Sequence, residues 1–325
     1  MFVSFRIHLT LVHPRKRDIF PVQHGGDKYP CITMEPRMPS TQEKTRCIVS
    51  ATELLEHIDD PDWIIVDCRF NLMKPVAGHL AWESGHIPRA VYADLDRDLA
   101  APVTANGSGG RHPLPDPDEL ARTLMNWGVR TDSTVVAYDD VGNAVAARLW
   151  WLLRWLGHER VMVLDGGLNG WNAAGGELTT DTPTPARGSF AANPGSLSVI
   201  DAGQVQAKLE RDELILLDAR AEDRFSGRLE PIDRRAGHIP GARNTPFQVN
   251  LSADKCFRPV VELEAYYRAQ VGDQSLEAVA CMCGSGVTAC HTLLALEAAG
   301  MSGASLYVGS WSDWISSEQR PIAGE

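Results

Sequence analysis

Chemistry is written most plainly into the segment Cys281-Met-Cys283-Gly-Ser-Gly-Val-Thr288. Before it, Leu276-Glu-Ala-Val-Ala280 is an apolar run of strand length. After it, Ala289-Cys-His-Thr-Leu-Leu-Ala-Leu-Glu-Ala-Ala299 has helical periodicity and stops at Gly300. Cys283 therefore stands at a strand-to-helix turn among glycines. Glycine lets successive backbone N–H groups turn inward, and a helix start adds partial positive charge. Gly284, Ser285, Gly286, Val287 and Thr288 would together cradle an anion. A thiol held in such a turn favours its thiolate, the form that attacks. Cys281 falls in the strand and Cys290 in the helix, as buried structural cysteines. A phosphatase-like Cys-x5-Arg motif is excluded, because the arginine position is Ala289. A tetrahedral dianion would lack its fixed charge partner there.

The elements that must position this turn occur twice. Val136-Ala-Tyr-Asp-Asp140-Val-Gly-Asn-Ala-Val-Ala-Ala-Arg-Leu-Trp aligns without a gap on Val279-Ala-Cys-Met-Cys283-Gly-Ser-Gly-Val-Thr-Ala-Cys-His-Thr-Leu. The same offset carries Val163-Leu-Asp-Gly-Gly-Leu-Asn-Gly-Trp171 onto Leu306-Tyr-Val-Gly-Ser-Trp-Ser-Asp-Trp314. Upstream, Ile64-Ile-Val-Asp-Cys-Arg69 answers Ile215-Leu-Leu-Asp-Ala-Arg220, and Gly85-His-Ile-Pro88 answers Gly237-His-Ile-Pro240. There the offset is larger, so the first copy is the longer one between its Gly-His-Ile-Pro and its later strand. Internal repetition of this kind means two structural units. Position 283 corresponds to Asp140, which cannot act as a thiolate. One turn is armed and its twin is not.

Each copy reads as alternating helices and strands. Helices are expected at 52–58, 118–127, 202–209 and 261–270, and strands at 63–66 and 214–217. That alternation predicts an α/β fold: tandem domains, each a mostly parallel sheet flanked by helices on both faces. The expected divisions are a tail over 1–45, an inactive domain over 46–178, a linker over 179–197 and a catalytic domain over 198–318. The linker is rich in Pro, Thr and Gly. The tail carries Arg6, Arg15, Lys16, Arg17, Lys28 and Arg37 between frequent prolines, and reads as disordered. Met38 would be an alternative start, since both copies are complete without the tail.

Bulk composition narrows the function classes. The chain has 325 residues, 44% of them hydrophobic and 22% charged, enough for two cores. A net charge of -11 disfavours nucleic acid and anionic membranes as partners. No apolar run is long enough to span a bilayer. Seven cysteines without CxxC pairs argue against a disulfide framework or a zinc site, and favour a reducing cytoplasm.

On the armed turn, the repeat and the two Gly-His-Ile-Pro segments, the chain resembles the rhodanese family, specifically its two-domain sulfurtransferases, over residues 46–318. The turn resembles that of members using 3-mercaptopyruvate, because thiosulfate-preferring members carry arginine and lysine where this chain has Gly284 and Ser285. Arg89, Val308 and Asp313 depart from the usual residues of the family's other patterns. The resemblance implies a persulfide on Cys283, a small-molecule sulfur donor (3-mercaptopyruvate, or alternatively thiosulfate), and an acceptor that is cyanide or a thiol such as thioredoxin. It calls for no metal or organic cofactor. It also implies arginines for the donor carboxylate: Arg224 by position, with the second open among Arg228, Arg234 and Arg235. Finally it implies a serine-histidine-aspartate proton relay. Ser285 matches the serine and His86 the histidine, while the acid is not assigned. His238, the repeat twin of His86, marks the alternative that such a histidine merely holds a turn.

Overall fold

Thr134-Val-Val-Ala-Tyr138 is rich in β-branched residues and buried along its whole length, as befits a strand covered on both faces. Its side chains alternate between two cores: Val135 and Ala137 face one, Val136 and Tyr138 the other. The computed structural model describes residues 46–324; the expected tail lies outside them. In the first domain β1 (Ile48–Val49), β2 (Trp63–Asp67), β3 (Val91–Tyr92), β4 (Thr134–Tyr138) and β5 (Val161–Leu164) form one sheet in the order β1-β5-β4-β2-β3. In the second, β6 (Val199–Ile200), β7 (Ile215–Asp218), β8 (Arg243–Asn244), β9 (Val279–Met282) and β10 (Ser305–Tyr307) repeat that order as β6-β10-β9-β7-β8. Every pairing within the two sheets is parallel. The expected α/β class and repeat are present.

Ten helices connect these strands: α1 (Ala51–Glu56), α2 (Val76–Ser84), α3 (Pro117–Asn126), α4 (Ala146–Trp155), α5 (Gly167–Ala173), α6 (Ala202–Leu209), α7 (Glu222–Ser226), α8 (Val260–Val271), α9 (Thr288–Ala298) and α10 (Ser310–Trp314). Their starts follow local chemistry. Asp116 accepts the amides of Asp118 and Glu119 ahead of α3, with Pro117 in the first turn. Asp201 and Gln204 form a capping box at α6.

Helices α4 and α9, which follow the twin turns, pack on one another. Both are buried nearly all round, α4 through Trp150 and Trp151 and α9 through Leu293 to Leu296. A helix buried on every side belongs between two layers; here it lies between two domains. One apolar core therefore runs through both copies, while each sheet's outer face has its own smaller cluster. Gly300, at φ 73, closes α9 in the left-handed conformation expected of that position.

Some local expectations need correction. Leu276–Ala278 is a 3-10 turn, and β9 starts only at Val279, where pairing with β7 begins. The turn is initiated by Ser275, whose hydroxyl accepts the Glu277 amide. The brief β1, β6, α5, α7 and α10 were not expected, nor was the nine-residue α2, of which only Gly78 and Trp82 are buried. No helix among the described residues is long and apolar enough to cross a membrane.

Candidate active site

Strand β9 ends at Met282 and α9 starts at Thr288, so Cys283 opens the turn between them. Its side chain is buried, and the Gly286 amide donates to its Sγ at 3.1 Å. Gly286 has φ 76, and a Cβ there would meet Val308 O at 2.3 Å. Only glycine permits both the turn and that approach. The start of α10 fastens the other side. Ser310 Oγ accepts the Cys283 amide (3.0 Å), and the amides of Trp311 and Ser312 donate to the carbonyls of Cys283 (3.0 Å) and Gly284 (2.9 Å). Ser310 itself has φ 53, a strained value for a residue with a side chain. Its repeat twin is Gly167, also at positive φ.

The first domain completes the site. His112 Nδ1 lies 2.8 Å from Ser285 Oγ, and His112 Nε2 lies 3.2 Å from Asp96 Oδ1, out of hydrogen-bond alignment. Arg148, wholly buried in α4, donates to the carbonyls of Gly286 (3.3 Å), His112 (3.2 Å) and Pro113 (3.3 Å). One guanidinium thus ties the armed turn to the segment bearing His112.

Two further guanidiniums stand over Gly284. A Cβ placed there would meet Arg111 at 3.3 Å and Arg224 at 3.4 Å. Arg224, from α7, also pairs with Glu230 and Asp233. The turn contains no charged residue, but two guanidiniums, held by Asp233 and Glu230, stand beside it. A cleft of about 880 Å³ on the first domain, lined by His79, Trp82, Tyr92 and Asp96, does not reach Cys283.

Several expectations are corrected by these positions. His86 does not meet Ser285. Its Nδ1 faces Trp82 O (2.8 Å), its Nε2 faces Asp181 O (3.2 Å), and its ring stacks on Trp82. His238 does the same with Phe225. Both histidines hold turns, and the one beside Ser285 is His112. Arg234 donates to Ile315 O, while Arg235 offers its carbonyl to Trp311 Nε1. Arg228 pairs with Glu222 and Asp223 on the surface. The second cation beside the turn is Arg111, from the other domain. Asp67 and Asp218 have structural jobs, each gripping the arginine two residues on at 2.6 Å.

The unarmed twin is instructive. Asp140 points outward, but Asp139 turns its buried carboxylate into its own loop. It accepts the amides of Val141 (2.9 Å), Asn143 (2.7 Å), Val145 (2.8 Å) and Ala146 (3.0 Å). Those residues are the twins of Gly284, Gly286, Thr288 and Ala289. Four converging amides are an anion nest, already filled.

Burial controls the ionisable groups. It pushes the Cys290 thiol up to about 12 and Cys281 higher, keeping both as thiols. Burial, with Arg148 and Arg111 nearby, lowers His112 to about 3; burial lowers His291, bonded to Gly142 O, to about 4. Both are therefore neutral at pH 7. Unfolding lets them titrate near 6.5, so the unfolded chain binds more protons below that pH. Stability should be fully expressed above pH 6.5 and fall as pH drops towards 4, by about 1.4 kcal/mol per pH unit for each histidine. Urea unfolding at stepwise lower pH measures this slope, and His291→Gln should make it shallower.

The sequence matches a family model described as Rhodanese-like domain twice, over residues 50–174 and 201–317. It is 48% identical over 277 residues to a Pseudomonas aeruginosa protein named probable 3-mercaptopyruvate sulfurtransferase, covering 85% of this chain and 97% of that one. It is 31% identical over 281 residues to the thiosulfate sulfurtransferase of Rattus norvegicus, covering 83% and 92%. The solved 3-mercaptopyruvate sulfurtransferase from Leishmania major superposes with a TM-score of 0.76 at 30% identity, covering 89% of this chain and 78% of that one. With its two matched domains, its parallel sheets and its single armed turn, the chain belongs to the rhodanese family.

Proposed function

We propose that the protein moves a sulfur atom from 3-mercaptopyruvate to a thiol or cyanide through a persulfide on Cys283. The observation that carries this reading is the meeting of one thiol, an amide-lined turn and guanidiniums at the mouth of that turn. In the first half-reaction the Cys283 thiolate attacks the donor sulfur. The new S–S bond forms as the donor's S–C bond breaks, and the electron pair leaves on carbon as the enolate of pyruvate. The donor's thiol proton must reach that carbon. Ser285 and His112, whose Oγ and Nδ1 lie 2.8 Å apart, form the chain that carries it, with the imidazole neutral at rest and passing the proton on without keeping it. In the second half-reaction an acceptor thiolate or cyanide takes the outer sulfur and restores the Cys283 thiolate. Amides of Gly284 to Thr288 hold the persulfide anion between the two. Thioredoxin fits as a thiol acceptor; no metal or organic cofactor has a step to perform.

Arg224 holds the donor carboxylate in this reading. Rates with the two donors in one assay test it: kcat/KM should favour 3-mercaptopyruvate over thiosulfate. Arg224→Ala should weaken the preferred donor by about 2 kcal/mol, roughly thirtyfold, through loss of a charged pair. Thiosulfate is the second reading, because Arg111 and Arg224 supply cationic charge that the turn's own sequence lacks. Faster turnover of thiosulfate by the unsubstituted protein would favour it.

A further inference from the structure

Arg111 has no part in the reaction as set out above, yet its position is closely determined. It lies in the stretch by which the first domain exceeds the second. Its backbone amide donates to Ser312 Oγ (3.0 Å) and its Nη1 to Asp233 Oδ1 (2.7 Å), both in the second domain. Arg224 Nη2 takes the other oxygen of that same carboxylate at 2.8 Å. One buried carboxylate thus sets two guanidiniums, from two domains, side by side.

Each guanidinium keeps a terminal nitrogen without a hydrogen-bond partner among the described residues. These are Arg111 Nη2 and Arg224 Nη1, the atoms 3.3 and 3.4 Å from the Cβ position of Gly284. Arg111 Nε is buried and also without a partner. The two terminal nitrogens are not buried, with the Arg111 and Arg224 side chains 25% and 17% exposed, so an anionic ligand can reach them. Gly284 has no side chain, so both guanidiniums approach its backbone closely, directly beside Cys283.

The geometry points to Arg111 as the second anion-holding residue of the donor site, supplied by the domain that lacks the thiol. Together with Arg224 it takes the carboxylate of a 2-oxo-3-thiol acid above Gly284. This rests on the sulfurtransferase reading given above. A carboxylate has two oxygens with lone pairs in one plane, and guanidinium nitrogens match that geometry better than an ammonium. Asp233 is the positioning residue: it takes Nη1 of Arg111 and Nη2 of Arg224, Glu230 takes Nε of Arg224, and the other terminal nitrogen of each guanidinium is left for the donor. Arg111 and His112 are adjacent, so one segment delivers both the cation for the carboxylate and the imidazole for the proton. Donor binding then requires both domains.

The test separates the two half-reactions. Arg111→Ala should raise KM for 3-mercaptopyruvate about tenfold or more, and weaken inhibition by the product pyruvate in the same proportion. Arg111→Lys keeps the charge but loses the planar fork, and should fall between. Release of sulfur from the preloaded persulfide to 2-mercaptoethanol, which has no carboxylate, should stay within about twofold in both variants. Unchanged KM and unchanged pyruvate inhibition in both variants would overturn the assignment. So would equal slowing of both half-reactions with a lowered melting temperature, which marks a structural role. Persulfide mass on the unsubstituted protein decides the underlying reading separately. If 3-mercaptopyruvate adds no sulfur to Cys283, that reading falls and Arg111 falls with it. If it does, only the variants bear on Arg111.

Discussion

Cys283→Ser should lose sulfur transfer by about 10⁴-fold or more, and should gain no mass of one sulfur on treatment with donor. Serine keeps the volume and the turn, so the protein should still fold. What disappears is the thiolate, and a hydroxyl under the same amides cannot replace it near neutral pH. The control is Cys290→Ala. Cys290 lies in α9, its Sγ donates to Gly286 O at 3.2 Å, and burial keeps it protonated. Its replacement should cost about 1 kcal/mol of stability through a small cavity and a lost contact, while a persulfide still forms on Cys283. Intact-mass spectra of both variants after donor treatment are the measurement. A sulfur adduct on Cys283→Ser would place the chemistry on another thiol.

His112→Asn should slow the donor half-reaction about a hundredfold, with KM for the donor little changed. Asparagine can keep a hydrogen bond to Ser285 Oγ, so the local shape is preserved. It cannot carry a proton, and general acid–base help of this kind is worth about 10²-fold or more. The acceptor half-reaction starts from a thiolate and ends at a thiolate, so it should be nearly unaffected. His86→Asn provides the contrast. Its ring is bound to two carbonyls and stacked on Trp82, so its loss should appear as a lower melting temperature, not as a slower donor step. Single-turnover rates for each half-reaction distinguish the two histidines.

The residues that sequence alone made legible are those whose role is local. Cys283, Gly286 and Gly300 follow one another along a single strand–turn–helix, and the repeat marks that unit as a fold element. The parallel sheets were legible for the same reason, since strand and helix periods alternate in order. His112, Arg111 and Ser310 were not, because they reach Cys283 only through tertiary folding. Asp96, Arg111 and His112 come from the other domain, and Ser310 comes from beyond the next strand. A signal for two of them existed all the same. The first copy is longer than the second after its Gly-His-Ile-Pro, and Arg111 and His112 lie within that stretch. Length present in the first copy and missing from the second pointed to a use for that length. His86 misled because its motif occurs in both copies; a residue required once would not need a twin. The neutral sequence of the turn misled about charge, because guanidiniums can arrive from elsewhere.

Asp139 gives the silent domain one more meaning. Its carboxylate is a resident guest, bound by four amides for the lifetime of the fold. The turn after Cys283 has no such carboxylate, and its Sγ draws on one amide; in the proposed reaction its guest is the transferred sulfur. The two turns therefore differ in what holds their amides: a side chain of the turn itself in one, neighbouring elements in the other. Without a carboxylate of its own, the turn after Cys283 is held in shape from outside. Arg148, Ser310 and the amides that start α10 are its props. Loading sulfur should then tighten the second domain as a ligand would, and delivering it should relax the domain again. Re-arming the first domain would take two changes, not one: a cysteine at Asp140, and eviction of the tenant at Asp139.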